Sequence, residues 1–335
     1  MANEKVYDVL IVGGGHAGLS AALTMYRQLH TSLIFDVKQP RNAWVTPTHV
    51  LAGWEGHSAE DIRAAARKEL LETGLVTFRE SEARTVKKTD IGFEVVDGEG
   101  QRWIGKKLLI ATGKQNIFPD IPGYAENYPD RIFHCMFTFG YEHRGAKRAG
   151  LLARDALASP MHAAMVVGDT FKFAKEVTVY TGGNPSLAKE METALNNTGA
   201  QIDNRRILCL TREGSNVVVG LDGGENRLEN FLVHQPATVM DRTLVEQLGL
   251  ELDARGDIVN KPPFFQTNVP GVFAAGDCGS PFKIIPMALF MGANAAAGVC
   301  RELGARSSKA IEKPETAPQE TAPVLGVPLE TALVA

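Results

Sequence analysis

The stretch VYDVLIVGGGHAGLSAALTMYR, residues 6–27, decides the fold. Its first part, Val6–Val12, is an apolar run broken by one acid, the pattern of a strand buried on both faces of a parallel sheet. Gly13, Gly14 and Gly15 follow, then His16, Ala17 and Gly18, and the rest has helical spacing. Gly13, Gly15 and Gly18 stand at G-x-G-x-x-G spacing between strand and helix. That pattern allows a tight turn, close approach of backbone to a pyrophosphate, and a helix N-terminus facing negative charge. SLIFD, residues 32–36, reads as the next parallel strand, and its Asp36 stands where an acid holds a ribose hydroxyl pair. The glycine spacing alone is weak evidence. In a βαβ unit with an acid at the right distance, it predicts a bound dinucleotide.

Working outward, the 335 residues suffice for two domains, and 44% hydrophobic with 22% charged residues is ordinary for a globular chain. A net charge of −4 offers no field for nucleic acid and no basic membrane anchor. The early apolar run reaches glycine too soon for a signal peptide, and no later run is long enough to span a bilayer. Cys135, Cys209, Cys278 and Cys300 are scattered, which suits a reduced cytoplasmic protein better than a disulfide framework. No metal site is expected.

Further along, Ser58 is a plausible N-cap for a helix ending at Gly74. Residues 76–104 read as a small antiparallel meander, and KLLIATG, residues 107–113, as a buried strand. The expected class is α/β: a discontinuous dinucleotide domain at residues 1–122 and 240–306, with a second such domain inserted at 123–239. A helix is expected from Ile285 to Leu303. Residues 307–335, Pro-rich with a repeated ETAP, are expected to form a disordered tail.

Two later segments point to FAD rather than NAD. IATG, residues 110–113, and AAGDC, residues 274–278, resemble the second and third cofactor segments of two-dinucleotide-domain flavoproteins, which implies Ala111, Gly113, Gly276 and Asp277 as contacts. A carboxylate such as Asp277 can bond a ribityl chain. The helix after FKIIP, opening at Ile284 and Ile285, would aim its N-terminus at the flavin's pyrimidine side. In this order the three motifs resemble the low-molecular-weight thioredoxin reductases, two-dinucleotide-binding-domain flavoproteins with Rossmann-like domains. RNAWVTPTHVLAGWEG (41–56), HCMFTFGYEHRG (134–145) and VPGVFAAGDCGSPFKIIPMAL (269–289) further resemble fungal dithiol oxidases of epipolythiodioxopiperazine (gliotoxin-type) pathways. The resemblance implies that Arg41, Asn42 and His49 line the FAD, that dioxygen reoxidises it, and that the chain is a homodimer in secondary metabolism.

Two features of the thioredoxin reductases are missing, the first of which the resemblance implies is absent from the dithiol oxidases too. AGLLA (149–153) is followed by RDALASPMHAAMVVGD (154–169), with no second glycine fingerprint; Gly168 falls inside an expected helix. After VTVYTGGNPS (177–186) no Arg or Lys appears before Lys189, so nothing obvious holds a 2′-phosphate. NADPH use is therefore not expected. In the dithiol relatives the redox segment reads C-x-x-C-H-G, whereas this chain has Cys135, then Thr138 and Phe139. A threonine hydroxyl neither ionises near neutral pH nor closes a disulfide. Thr138 and Phe139 would instead line the flavin face and leave room for a substrate.

The expected activity is direct oxidation of a small molecule by FAD, with dioxygen as acceptor. A non-redox cyclase or isomerase and a non-catalytic flavin-binding protein are the alternatives. The catalytic candidates are His134, Cys135, Thr138 and His143, with His49 and His16 near the cofactor, and Trp44 and Trp54 as walls of the substrate side.

Overall fold

The computed structural model describes residues 5–43 and 45–304. Trp44 and the expected tail at 307–335 lie outside the described residues.

The chain opens with β1 (Val6–Val12), α1 (His16–Arg27), β2 (Ser32–Phe35), α2 (Ala59–Glu72), β3 (Val76–Arg79), β4 (Ala83–Thr89), β5 (Gly92–Asp97) and β6 (Arg102–Ile110). A linking strand β7 (Gln115–Ile117) leads to α3 (Tyr124–Asn127), β8 (Ile132–Phe133), α4 (Met136–Phe139), β9 (Ala146–Leu152), α5 (Pro160–Thr170), β10 (Ala174–Tyr180), α6 (Pro185–Leu195) and β11 (Gln201–Asp203). Then come β12 (Ile207–Glu213), β13 (Asn216–Leu221), β14 (Asn226–Glu229), β15 (Phe231–Val233) and a second linking strand β16 (Ala237–Val239). The chain returns through α7 (Thr243–Leu248), β17 (Val272–Ala274) and α8 (Ile285–Leu303).

The first sheet has the order β3-β2-β1-β6-β5-β4, with β17 on β6. Alternation along its central strands builds a core on each face. Leu10 and Val12 of β1, Leu108 and Ile110 of β6, and Val272 and Ala274 of β17 turn to the side covered by α7 and the β4–β5 hairpin. Val9, Ile11, Leu109 and Phe273 turn to the side covered by α1 and α8. These helices cross closely because Gly292 of α8 rests on α1: a Cβ there would stand 2.1 Å from the Ala17 carbonyl oxygen. β7 and β16 pair antiparallel, so the chain leaves and re-enters the first domain side by side. The inserted part has its own parallel sheet, β11-β10-β9-β15-β8, and a three-stranded antiparallel sheet, β12-β13-β14.

The expected meander at 76–104 needs correction. β3 is not in it: it pairs parallel with β2, Ser32 beside Val76, as a third strand of the parallel run. β6 begins earlier than KLLIATG, at Arg102; it runs antiparallel to β5 along 102–105 and parallel to β1 along 104–110. Half-polar VTFR and the charges Lys106 and Lys107 hide both features from a hydrophobicity reading.

Candidate active site

β1, β6 and β17 end on one edge of the first sheet, and their following loops form the cofactor cradle, the usual place for a ligand outside the carboxyl ends of parallel strands. Gly13 has φ +117°, and a Cβ there would lie 2.1 Å from the Ala111 oxygen. A Cβ on Gly18 would lie 2.0 Å from the Gly13 oxygen, so the helix can start this close to the turn only with glycine. Around Gly15 there is open space, with no atom within 4 Å of a Cβ placed on it. Gly15 is the N-cap of α1 and makes no side-chain cap, so the first helical N–H groups are left for an anion. These features fit the pyrophosphate of a dinucleotide. Asp36 folds back over Gly14, whose Cβ would lie 2.3 Å from the carboxyl carbon. One Asp36 oxygen accepts from Arg67 Nη1 at 2.6 Å and the other from the Lys38 N–H at 2.9 Å. Each oxygen keeps a lone pair for a ribose hydroxyl.

The loop at 41–56 crosses to the third cofactor segment. Arg41 Nε donates to Asp277 Oδ2 at 2.9 Å and its Nη2 donates to the Lys283 carbonyl at 3.1 Å. Asn42 lies 3.4 Å from His16 Nε2 and accepts from Arg63 Nη1 at 2.9 Å. Burial, then the Arg63 charge, lowers His16 to a pKa of about 4, against a smaller opposing pull from Asp277. Gly276 (φ +81°) packs on Ala17, Ala111 is buried, and Gly113 (φ +69°) turns the chain after β6. Ile285 opens α8, and Ile284 before it is half exposed. The structure thus brings together Gly13, Gly14, Gly15, His16, Ala17, Gly18, Asn42, Arg41 and Asp277. His49 lies in the same 41–56 loop: its Nδ1 is 2.5 Å from Glu55, and its Nε2 is 3.8 Å from Glu142 beyond α4. It joins the 41–56 loop to the inserted part.

The redox segment is arranged differently from the expectation in one respect. Cys135 is the N-cap residue of α4, and all four cysteines are free. The Thr138 N–H donates to the Cys135 carbonyl at 3.1 Å, closing a single turn. Phe139 does not line an open face: it is 6% exposed and packs 5.2 Å from the Phe133 ring in the inserted domain's core. His143 is also structural, with Nδ1 3.1 Å from the Phe139 carbonyl and its ring edge-on to Phe133 and Phe231. Trp54 sits edge-on to His57 at 5.2 Å.

His134 is the exception. Its Nδ1 is buried with no hydrogen-bond partner, and its ring lies between Tyr128 (6.2 Å) and Phe139 (6.4 Å). Burial, helped by the Arg41 charge, holds its pKa at about 4, so the imidazole is neutral at physiological pH. Tyr128 completes the group, its hydroxyl accepting from Asn116 Nδ2 at 3.2 Å. Burial, the main cause, raises the Tyr128 phenol above its ordinary value, against a smaller opposing pull from the Arg41 charge. Sequence reading missed Tyr128, Asn116 and Arg63 because none lies in a glycine motif; an aromatic before a proline carries no chemical signature.

At the equivalent edge of the inserted sheet there is no cradle. Residues 153–159 join β9 to α5 through a 3-10 turn at Asp155–Ala158, and Leu157 of that turn is fully buried. Asp155, at φ +49°, puts its carboxylate 3.2 Å from His234 Nε2, and Tyr124 OH lies 2.7 Å from His234 Nδ1. Leu157 thus packs into the inserted part's core and Asp155 pairs with His234, so β9 is not followed by a glycine turn like the one after β1. Gly168 lies within α5 as expected.

Among the described residues no group of three or more His, Cys, Asp or Glu side chains is placed to hold a metal, and no helix is long and apolar enough to cross a membrane. A family model for pyridine nucleotide-disulphide oxidoreductases matches residues 7–292. A thioredoxin reductase of Aspergillus oryzae, aclD, is 41% identical over 89% of this chain and 96% of its own. Another from Leptosphaeria maculans, sirT, is 36% identical over 88% and 94%. Among solved structures, an Agrobacterium tumefaciens oxidoreductase superposes with a TM-score of 0.79 at 28% identity, covering 89% of this chain and 99% of its own. The cradle, the two parallel sheets and these likenesses agree: the chain belongs to the pyridine nucleotide-disulphide oxidoreductase family, as a thioredoxin-reductase-like enzyme whose cofactor is FAD.

Proposed function

We propose that this enzyme is an oxidase that takes electrons directly from a small secondary metabolite and passes them to dioxygen, using neither a dithiol relay nor a nicotinamide. One observation carries the reading: in the inserted domain, the turn before α5 is filled by Leu157 and tied down by Asp155, where a second cofactor would need glycine. The lone sulfur of Cys135, with Thr138 one turn on, supports it independently. When bound, FAD supplies a two-electron acceptor that dioxygen can restore.

The chain's residues handle position and protons. The N-terminus of α1 and the glycine loop hold the pyrophosphate, Asp36 the ribose, and Asp277 the ribityl chain. His134, neutral and with Nδ1 unpartnered, takes a proton from the substrate's reacting group; burial, helped by the Arg41 charge, keeps the imidazole unprotonated until then. Tyr128, held by Asn116, orients the substrate beside it. Overall two electrons and two protons leave the substrate and appear as hydrogen peroxide. The scattered, free cysteines lead us to place the enzyme in the cytoplasm, and the resemblance alone to make it a homodimer.

Anaerobic mixing tests the proposal. The flavin is expected to stay oxidised with NADPH, to bleach with pathway intermediates, and to recover on admitting air with one peroxide per turnover. Rapid bleaching by NADPH overturns it, and turnover without oxygen uptake points instead to non-redox use of FAD.

A further inference from the structure

Behind the cradle lies a run of charge that holding FAD does not require. Lys114 directly follows Gly113, its side chain is 3% exposed, and its ammonium is 2.5 Å from Asp257, also 3% exposed. Arg255 Nε is 3.4 Å from the same carboxylate, and Lys283 Nζ is 3.7 Å from it. Lys283 stands in the loop leading into α8, its carbonyl accepting from Arg41, which in turn pairs with Asp277. Arg255 also pairs with Asp253 at 2.7 Å, so four cations, Arg41, Lys114, Arg255 and Lys283, face three carboxylates, Asp253, Asp257 and Asp277.

Burying such a pair is a poor route to stability, since removing each ion from water costs several kcal/mol and an apolar pair of similar volume does as well or better. What the array provides is a fixed positive surplus in a site with little screening. It is reinforced by the N-terminus of α8, a 19-residue helix whose dipole adds about half a positive charge there. The array adjoins the loops after β6 and β17, two of the three that form the cradle. A charge near the ring is one of the few means by which a protein tunes a flavin.

We propose that Lys283, backed by the Lys114–Asp257 pair, stabilises negative charge on the reduced isoalloxazine, and so sets the flavin's reduction potential and its affinity for anionic nucleophiles. Lys283 is the adjustable member. Lys114 has Asp257 at contact distance, whereas Lys283 Nζ has only the Ser280 carbonyl at 3.1 Å and a carboxylate further off. The inference rests on the FAD assignment and on neither the electron donor nor the acceptor, so its failure and that of the oxidase proposal are distinguishable.

The test uses FAD-loaded full-length protein and sulfite as the probe. Sulfite donates its lone pair to the oxidised ring, forming a sulfur–nitrogen bond and leaving one negative charge on the flavin, with no other reactant needed; the bleached absorbance reports it. Wild-type protein is expected to form the adduct. Lys283→Met should weaken it about tenfold and lower the two-electron midpoint potential by about 30 mV, the same factor expressed as a potential. Lys283→Arg should restore both within about threefold, a span of roughly 15 mV on the same conversion. A double Lys114→Met, Asp257→Leu variant removes equal and opposite charge and should leave both closer to wild type than Lys283→Met does. Absence of an adduct in the wild type, an unchanged potential in Lys283→Met, or equal losses in the Met and Arg variants would overturn the proposal.

Discussion

Replacing Thr138 by cysteine tests whether thiol chemistry was lost through one atom. Positions 135 and 138 belong to one turn, closed by the Thr138 N–H on the Cys135 carbonyl at 3.1 Å. Residues three apart on such a turn face the same side, with Cα atoms about 5–6 Å apart, inside the range a disulfide spans. Closing a loop of about four residues removes roughly 6 cal/mol/K from the unfolded chain, or about 2 kcal/mol at 25 °C. For a chain this long that corresponds to about 3 °C in Tm. Adding Phe139→His, which the family pattern suggests, works against this. Phe139 is 6% exposed in an aromatic cluster, and replacing its ring with an imidazole lacking partners costs about 2–3 kcal/mol. The single Thr138→Cys variant is therefore the informative one. Thiol titration in denaturant should find four free thiols in the wild type and, after mild oxidation, one fewer in the variant. The oxidised variant should melt above its reduced form, and a small dithiol should now bleach the flavin. Five free thiols after oxidation, or identical melting in both redox states, would refute the geometry on which the reasoning rests.

Acid stability gives a second test. His16, His134 and His234 are all lowered to about 4, chiefly by burial, from an ordinary value near 6.5. Between those pH values the unfolded chain binds protons that the folded one refuses, so stability is lost as pH falls from about 6.5 towards 4. At pH 5 the linkage relation sets an upper value of roughly 2 kcal/mol per histidine, visible as a steep fall in denaturation midpoint between pH 7 and 5. Arg41→Met should raise the pKa of His134 and loosen FAD by leaving Asp277 unpaired, read by histidine NMR and by flavin retained on gel filtration. Gly18→Val drives a Cβ into the Gly13 oxygen, 2.0 Å away, so the purified protein should be colourless; normal flavin content would contradict the cradle.

Much of this was legible in the sequence where one local pattern dictates one geometry. Val6–Val12 alternates between two cores and could only be a central strand, and the glycine spacing after it permits the contacts found at Gly13 and Gly18. The missing second fingerprint was readable for the same reason. What escaped are relations between distant residues. Lys114 meets Asp257 across a long span of sequence, and nothing near either announces the other. Phe139 and His143 look like site residues by position, but the two-residue strand β8 beside them draws both rings into the inserted domain's core. His134 and His143 are alike in sequence and differ only in whether a carbonyl lies within reach of Nδ1.

The two missing features belong to one electron path. In a chain with both, a nicotinamide brings electrons to the ring and a disulfide removes them. A chain keeping only the nucleotide loop would fill its flavin with electrons that have no protein exit; one keeping only the dithiol would still need an acceptor such as dioxygen. Here the loop before α5 has more than lost its glycines. It has gained Leu157, with no exposure, and an Asp155 carboxylate within 3.2 Å of His234, so the position now serves packing. At the redox segment, by contrast, Cys135 stays partly exposed and Thr138 keeps the turn that a disulfide would use. The nucleotide side is closed by packed side chains, while the sulfur side is changed by single replacements around a preserved backbone. That asymmetry makes the Thr138→Cys variant a shorter route to dithiol oxidation than any repair of the loop at 153–159.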